Sequence, residues 1–158
     1  LLYFIIPIFA FLWLIFFPNA PYLITDLENL GDGFGEVPVW YDIMLVIWFS
    51  WTGLLLGVVS LYLMQEIVKN VFGKLFGWVF VFTVSVLSSV GVYLGRFLRF
   101  NSWDIWQSPV EVLRDSYRLL RAMRPSTIGF IGLFTVFFLF VYLTLYAFGH
   151  LLQEDNHD

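Results

Sequence analysis

The sequence predicts an all-α fold: a polytopic transmembrane helix bundle, about four spans long, with an added interfacial amphipathic helix. Three observations predict it. Of the 158 residues 60% are apolar and only 13% charged, with a mean hydropathy of +0.84, whereas soluble domains run at about 45–50% apolar and about 25% charged. Charge-free runs cover 43–64, 75–95 and 127–149, and roughly 20 helical residues cross a hydrocarbon core of about 30 Å. Those runs show no period-2 alternation, so they read as helices and not as barrel strands. The composition excludes a soluble globular domain, and the chain reads as one integral membrane domain over 1–158.

The first span is the charge-free stretch 1–17, which contains Pro7. It opens at Leu1 inside an apolar run with no basic segment before it, unlike a secretory signal peptide. Further hydrophobic segments are expected ahead of it. Between the first and second spans, "PNAP" breaks the helix, "YLITDLENL" has the makings of a short one, and "GDGFGEVP" is rich in turn formers. The second span, 43–64, carries Gly53-x-x-x-Gly57, and the third, 75–95, carries Gly91-x-x-x-Gly95. Such small-residue spacings allow backbones to approach closely in membranes. Thr52, Ser60, Ser85, Ser88 and Ser89 offer hydrogen bonds between helices. Gln65–Lys74 reads as a short turn between these two spans.

The connection 96–126 holds six of the eight basic residues: Arg96, Arg99, Arg114, Arg118, Arg121 and Arg124. Within it "SPVE" is a capping box, with Ser108 at the N-cap, Pro109 first in the helix and Glu111 third. Over 108–124, Val110, Leu113, Tyr117 and Leu120 share one face, while Arg114, Arg118 and Arg121 share another. An apolar stripe beside an arginine stripe reads as a helix lying on the membrane surface. The last span, 127–149, leads to His150 and the acidic tail "QEDNHD", which contributes to the net charge of −4.

Four spans put the first and third connections at one face, with six arginines, against Lys69 and Lys74 at the other. Basic residues favour the cytoplasmic side, so the arginine face is expected there, in a bacterial inner membrane. Asp26, Asp42, Arg96, Arg99, Asn101 and Asp104 then lie near one interface, and Arg96 and Arg99, three apart, share a side of the helix. Ionisable groups at that depth are functional candidates by default.

Three readings fit this cluster. In the first it anchors, with arginines reaching lipid phosphates, Trp40, Trp103 and Trp106 in the aromatic belt, and Asp42 at the positive end of its helix. In the second, Arg96 and Arg99 grip an anionic head group while Asp26 and Asp42 orient them. In the third, Asp26, Asp42 and Asp104 hold a hard cation or divide acid and base roles over a phosphate-bearing lipid.

With no cysteine, disulfides, thiolate metal sites and Cys nucleophiles are excluded. "GDGFGE" lacks the strand, helix and Lys-Ser/Thr ending of a phosphate loop, and "DLENLGDGFGE" lacks the alternation of a calcium loop. His150, alone at a helix end, reads as a capping or interfacial residue more readily than as a haem or chlorophyll ligand. No cofactor is named by these residues, and membrane phosphate accounts for the arginine stripe without nucleic acid.

"FPNAPYLITDL", "WYD", "TGLLLGVVSLYLM" and "LGRFLRFNSWD" resemble a bacterial membrane family known as domain of unknown function 1361. The resemblance runs from about Trp13 to Pro109. It implies a small polytopic protein, longer at the N-terminus, and no particular activity. It marks Asn19, Tyr22, Asp26, Asp42, Arg96, Arg99, Asn101 and Asp104 as the family-like polar positions. The reading that follows is a non-enzymatic accessory or lipid-binding component. Its partners would be membrane lipids with anionic head groups, a larger membrane complex or a second copy. The residues assigned to binding are Arg96, Arg99, Asn101, Asn19, Tyr22, Arg114, Arg118 and Arg121. The alternative is a lipid-modifying intramembrane enzyme using Asp26, Asp42 and Asp104.

Overall fold

A computed structural model describes residues 2–25, 38–97, 107–121 and 124–154. Among them are six α-helices and no strand: α1 Leu2–Phe16, α2 Asn19–Tyr22, α3 Val39–Phe72, α4 Lys74–Phe97, α5 Pro109–Arg121 and α6 Pro125–Glu154. Four segments are long and apolar enough to cross a membrane: Ile8–Thr25, and the helices that begin at Val39, Lys74 and Pro125.

The second span is longer than expected. Pro38 precedes it with φ −59° and ψ 133°, a non-helical geometry from which the helix starts at Val39. Its 34 residues give a length of about 51 Å at about 1.5 Å per residue. The turn expected over Gln65–Lys74 is corrected to the single residue Gly73. The helix continues through Gln65–Phe72 because that stretch holds no breaker and Glu66 pairs with Lys69 one turn on, at 2.8 Å. The last span likewise runs on to Glu154, so His150 falls inside helix α6 and not at its end.

Gly73 adopts φ +99° and ψ 167°, a region essentially restricted to glycine. Its N–H donates to the Lys69 carbonyl at 2.9 Å, and its own carbonyl accepts from Gly77 N–H at 3.2 Å, so one residue closes α3 and opens α4. A Cβ there would meet nothing within 4 Å. Gly73→Ala should therefore destabilise through backbone strain alone, by about 1–3 kcal/mol, read as a lowered unfolding midpoint of the purified protein. An unchanged midpoint would show that the turn tolerates a side chain.

Helices α3 and α4 form an antiparallel pair, α6 packs along α4, and α1 with α2 closes the other side. The core is built from Phe17, Leu54, Leu61, Val81, Phe138 and Tyr142. Trp13 of α1 donates its indole N–H to Ser60 Oγ of α3 at 2.7 Å and stacks on Phe80 of α4. Thr135 of α6 donates to Ser89 of α4 at 2.9 Å. Of the hydroxyls expected to link helices, Ser60 and Ser89 do so. Thr52 and Ser85 instead bond the carbonyl four residues back in their own helix, and Ser88 is buried with no partner among the described residues.

The glycine motifs do allow close approach, but their neighbour is α2. A Cβ on Gly53 would lie 2.9 Å from the Ala20 carbonyl oxygen, one on Gly57 3.2 Å from Ala20 Cβ, and one on Gly91 2.8 Å from the Pro18 ring. Ser50 Oγ donates to the Leu23 carbonyl at 2.8 Å, supplying a partner for a backbone group that the broken helix exposes. The "PNAPYL" segment is thus wedged between α3 and α4. Where α3 and α4 do come close is at their turn, where a Cβ on Gly77 would meet Lys69 and Gln65.

Candidate functional site

Two polar groupings stand at opposite ends of the bundle. At the arginine end, α4 finishes with Arg96 in its last turn, half-buried. One turn earlier Tyr93 and Thr127 share a hydroxyl–hydroxyl hydrogen bond of 3.0 Å, and Tyr93, Phe97 and Phe130 form an aromatic triangle. These contacts pin the end of α4 to the start of α6 and so fix where Arg96 emerges. The Pro18–Gly91 contact seats the start of α2 against α4 five residues before Arg96, with Asn19 exposed and Tyr22 half-buried. Asp42 lies half-buried in the first turn of α3. It precedes Gly53 by eleven residues, about 16 Å of helix, whereas Arg96 follows Gly91 by five, about 7.5 Å. Both point to the same end, at different depths.

At the Gly73 end, one face of α3 carries Tyr62, Gln65, Glu66 and Lys69, facing Gly77 and Trp78 of α4 and Tyr142 and Tyr146 of α6. Tyr142 is fully buried and donates its hydroxyl to Gln65 Oε1, and Gln65 is itself only 2% exposed. Burying an amide and a phenol is costly unless each satisfies the other. Trp78 stands edge-on to both Tyr142 and Tyr146, with ring centroids 6.4 and 5.2 Å apart, and Tyr62 lies 6.0 Å from Tyr146. Lys69 Nζ donates to both Glu66 oxygens, at 2.8 and 3.0 Å. Between α3 and α6 this grouping borders a half-open apolar cavity of about 430 Å³.

A family model described as "Protein of unknown function (DUF1361)" matches residues 1–141. The chain belongs to DUF1361. No curated protein and no solved structure matches it. The family match extends past the quoted motifs on both sides, taking in α1, α5 and most of α6.

In this DUF1361 chain the expected site residues divide into three groups. Asn19, Tyr22, Asp42 and Arg96 are placed as described. Asp26, Arg99, Asn101 and Asp104 lie outside the described residues, as do Trp103 and Trp106. Arg114, Arg118 and Arg121 are exposed on α5, which begins at Pro109 as its capping sequence predicts, with Glu111 N–H on the Ser108 carbonyl at 3.1 Å. The apolar stripe of α5 is also uncovered: Val110, Leu113 and Tyr117 are 64%, 70% and 63% exposed. The Leu120 side chain lies outside the described residues. Arg118 pairs with Asp115 at 3.3 Å, but it is so exposed that the pair adds little. Among the described residues no three His, Asp or Glu side chains gather as a metal site would require.

Reading 65–74 as a turn hides the Gly73-end grouping. A signal existed: Tyr62, Glu66 and Lys69 repeat at i, i+4 and i+7, and Tyr142 and Tyr146 at i and i+4, each a single helical stripe.

Proposed function

We propose that this DUF1361 protein is a non-enzymatic, lipid-binding component of a bacterial cytoplasmic membrane, docked through its arginine end on anionic head groups of the cytoplasmic leaflet. One observation carries the reading. Helix α5 leaves both its stripes uncovered, with Val110, Leu113 and Tyr117 exposed alongside Arg114, Arg118 and Arg121. A helix packed on the bundle would bury its apolar stripe. One lying in the head-group layer needs that stripe for acyl chains and its arginines for phosphate. Arg96, at the same end, adds a planar guanidinium suited to bidentate phosphate contact, and Asn19 and Tyr22, on the short α2 at that end of the bundle, are taken as further polar contacts. Anionic lipids are the first partners on this reading. A larger membrane complex or a second copy would meet the exposed flank of α3 that runs from Trp40 through Trp48.

The test is lipid retention by the full chain. Protein reconstituted with phosphatidylglycerol and phosphatidylcholine is released gently and weighed with its bound lipid. Neutralising Arg114, Arg118 and Arg121 to Gln should lower phosphatidylglycerol retention at low salt by about fivefold per arginine, since each basic residue near an anionic surface contributes about 1 kcal/mol. High salt should shrink that difference. Equal retention of both lipids by wild type and variant would defeat the proposal.

A further inference from the structure

The cavity at the Gly73 end is a groove with chemistry graded along it. On α3 its wall runs Leu55, Val59 and Tyr62, and the same stripe continues to Glu66 and Lys69. On α6 it runs Tyr142, Tyr146 and Gly149. The cavity itself is apolar at the deep end and hydroxyl-bearing at Tyr62, Tyr142 and Tyr146; Glu66 lies one helical turn beyond Tyr62, and from Leu55 to Glu66 is eleven residues, about 16 Å of helix. Glu66 is the first charged residue after the charge-free stretch 43–64, with only Gln65 between, which sets it at head-group depth. Such a gradient matches an amphiphile lying parallel to the helices, with its chain in the groove.

The ionic end narrows the head group. Glu66 and Lys69 form a net-neutral dipole, each side chain 28% exposed. Lys69 Nζ has three N–H donors and gives two contacts to the Glu66 carboxylate, so one donor and further carboxylate lone pairs remain. A zwitterionic head group bearing a primary ammonium complements both charges: its phosphate accepts from Lys69, and its ammonium donates to Glu66. An anionic head group would gain Lys69 but face the Glu66 carboxylate. A quaternary ammonium has no N–H to donate. We propose that the groove between α3 and α6 binds one acyl chain of a phosphatidylethanolamine, with Glu66 and Lys69 reading its head group. This is a second lipid site, at the opposite end of the bundle from the arginine helix.

The experiment uses the full chain in bilayers of equal phosphatidylethanolamine, phosphatidylglycerol and phosphatidylcholine, with bound lipid counted by native mass spectrometry. Wild type should retain phosphatidylethanolamine over the other two at this site by about tenfold, some 1.4 kcal/mol. A Cβ on Gly149 meets nothing within 4 Å, so Gly149→Phe extends into the groove without a backbone clash. It should reduce retained phosphatidylethanolamine about tenfold while phosphatidylglycerol, held at the arginine end, is unchanged. Glu66→Gln, past the charge-free stretch 43–64, should level the preference between phosphatidylethanolamine and phosphatidylglycerol. The triple arginine variant should do the reverse of Gly149→Phe, which separates failure of one site from failure of the other. The proposal is overturned if Gly149→Phe leaves phosphatidylethanolamine retention intact, if the Glu66→Gln preference equals wild type, or if Gly149→Phe instead dissolves a dimer, since a second copy would then fill the groove.

Discussion

Alanine at Gly53 or at Gly91 is expected to destabilise the protein by about 1–3 kcal/mol through overpacking, and the two together by more than either but less than their sum, because both press on one segment. The added methyl at residue 53 would sit 2.9 Å from the Ala20 carbonyl oxygen, a backbone atom that cannot rotate away. At residue 91 it would sit 2.8 and 2.9 Å from two carbons of the Pro18 ring, which is equally rigid. Both clashes fall on Pro18 and Ala20, at the N-cap and inside the short α2, so the two substitutions push that segment off α3 and α4 together. Displacing it also strips Leu23 of its hydrogen bond from Ser50. Gly129→Ala and Gly132→Ala on α6 are the controls. Nothing lies within 4 Å of a Cβ at either position, and alanine is the better helix former by about 1 kcal/mol, so they should be neutral or stabilising. Thermal unfolding of the purified protein, followed by tryptophan fluorescence, compares the pairs. If Gly53→Ala/Gly91→Ala unfolds where the α6 controls do, α2 is not seated as described.

The second large effect is expected at Tyr142. Tyr142→Ala should cost about 3–5 kcal/mol, the range for emptying a large buried aromatic site. In lipid the transfer contribution weakens, because acyl chains are as apolar as the core, so lost packing against Trp78 and Tyr146 dominates. Tyr142→Phe keeps that packing and removes only the hydroxyl donated to Gln65. It leaves the buried Gln65 oxygen unsatisfied, at about 1–3 kcal/mol. Gln65→Leu/Tyr142→Phe removes both partners and should recover most of the loss of either single change. A double-mutant cycle on unfolding midpoints reads the coupling. Additive single effects would mean that the hydroxyl and the amide do not depend on each other.

These two sites show what could be read in advance. Membrane insertion, helix content and the start of α5 at Pro109 follow from local pattern: charge-free length, and a capping sequence that acts within one turn. The arginine stripe was equally legible, since Arg114, Arg118 and Arg121 need only helical periodicity to align. The length of α3 was not, because the charges of Glu66 and Lys69 look like a loop until their pairing within the helix is considered. The role of Gly53 and Gly91 was half legible: the spacing announces a close neighbour but does not name it.

Sequence alone determined that this chain folds as helices long and apolar enough to span a membrane, with six of its eight basic residues in the connection 96–126. That choice rests on hydropathy and periodicity, which act over a few turns and require no knowledge of partners. Only the tertiary structure decided that "PNAPYL" fills the glycine notches, that Gln65 meets Tyr142 across 77 positions of sequence, and that α3 and α6 leave a groove between them. Those outcomes depend on how the side chains of distant helices fill shared space. No single stretch of sequence encodes that filling, because the same apolar face packs equally well on lipid or on a neighbour.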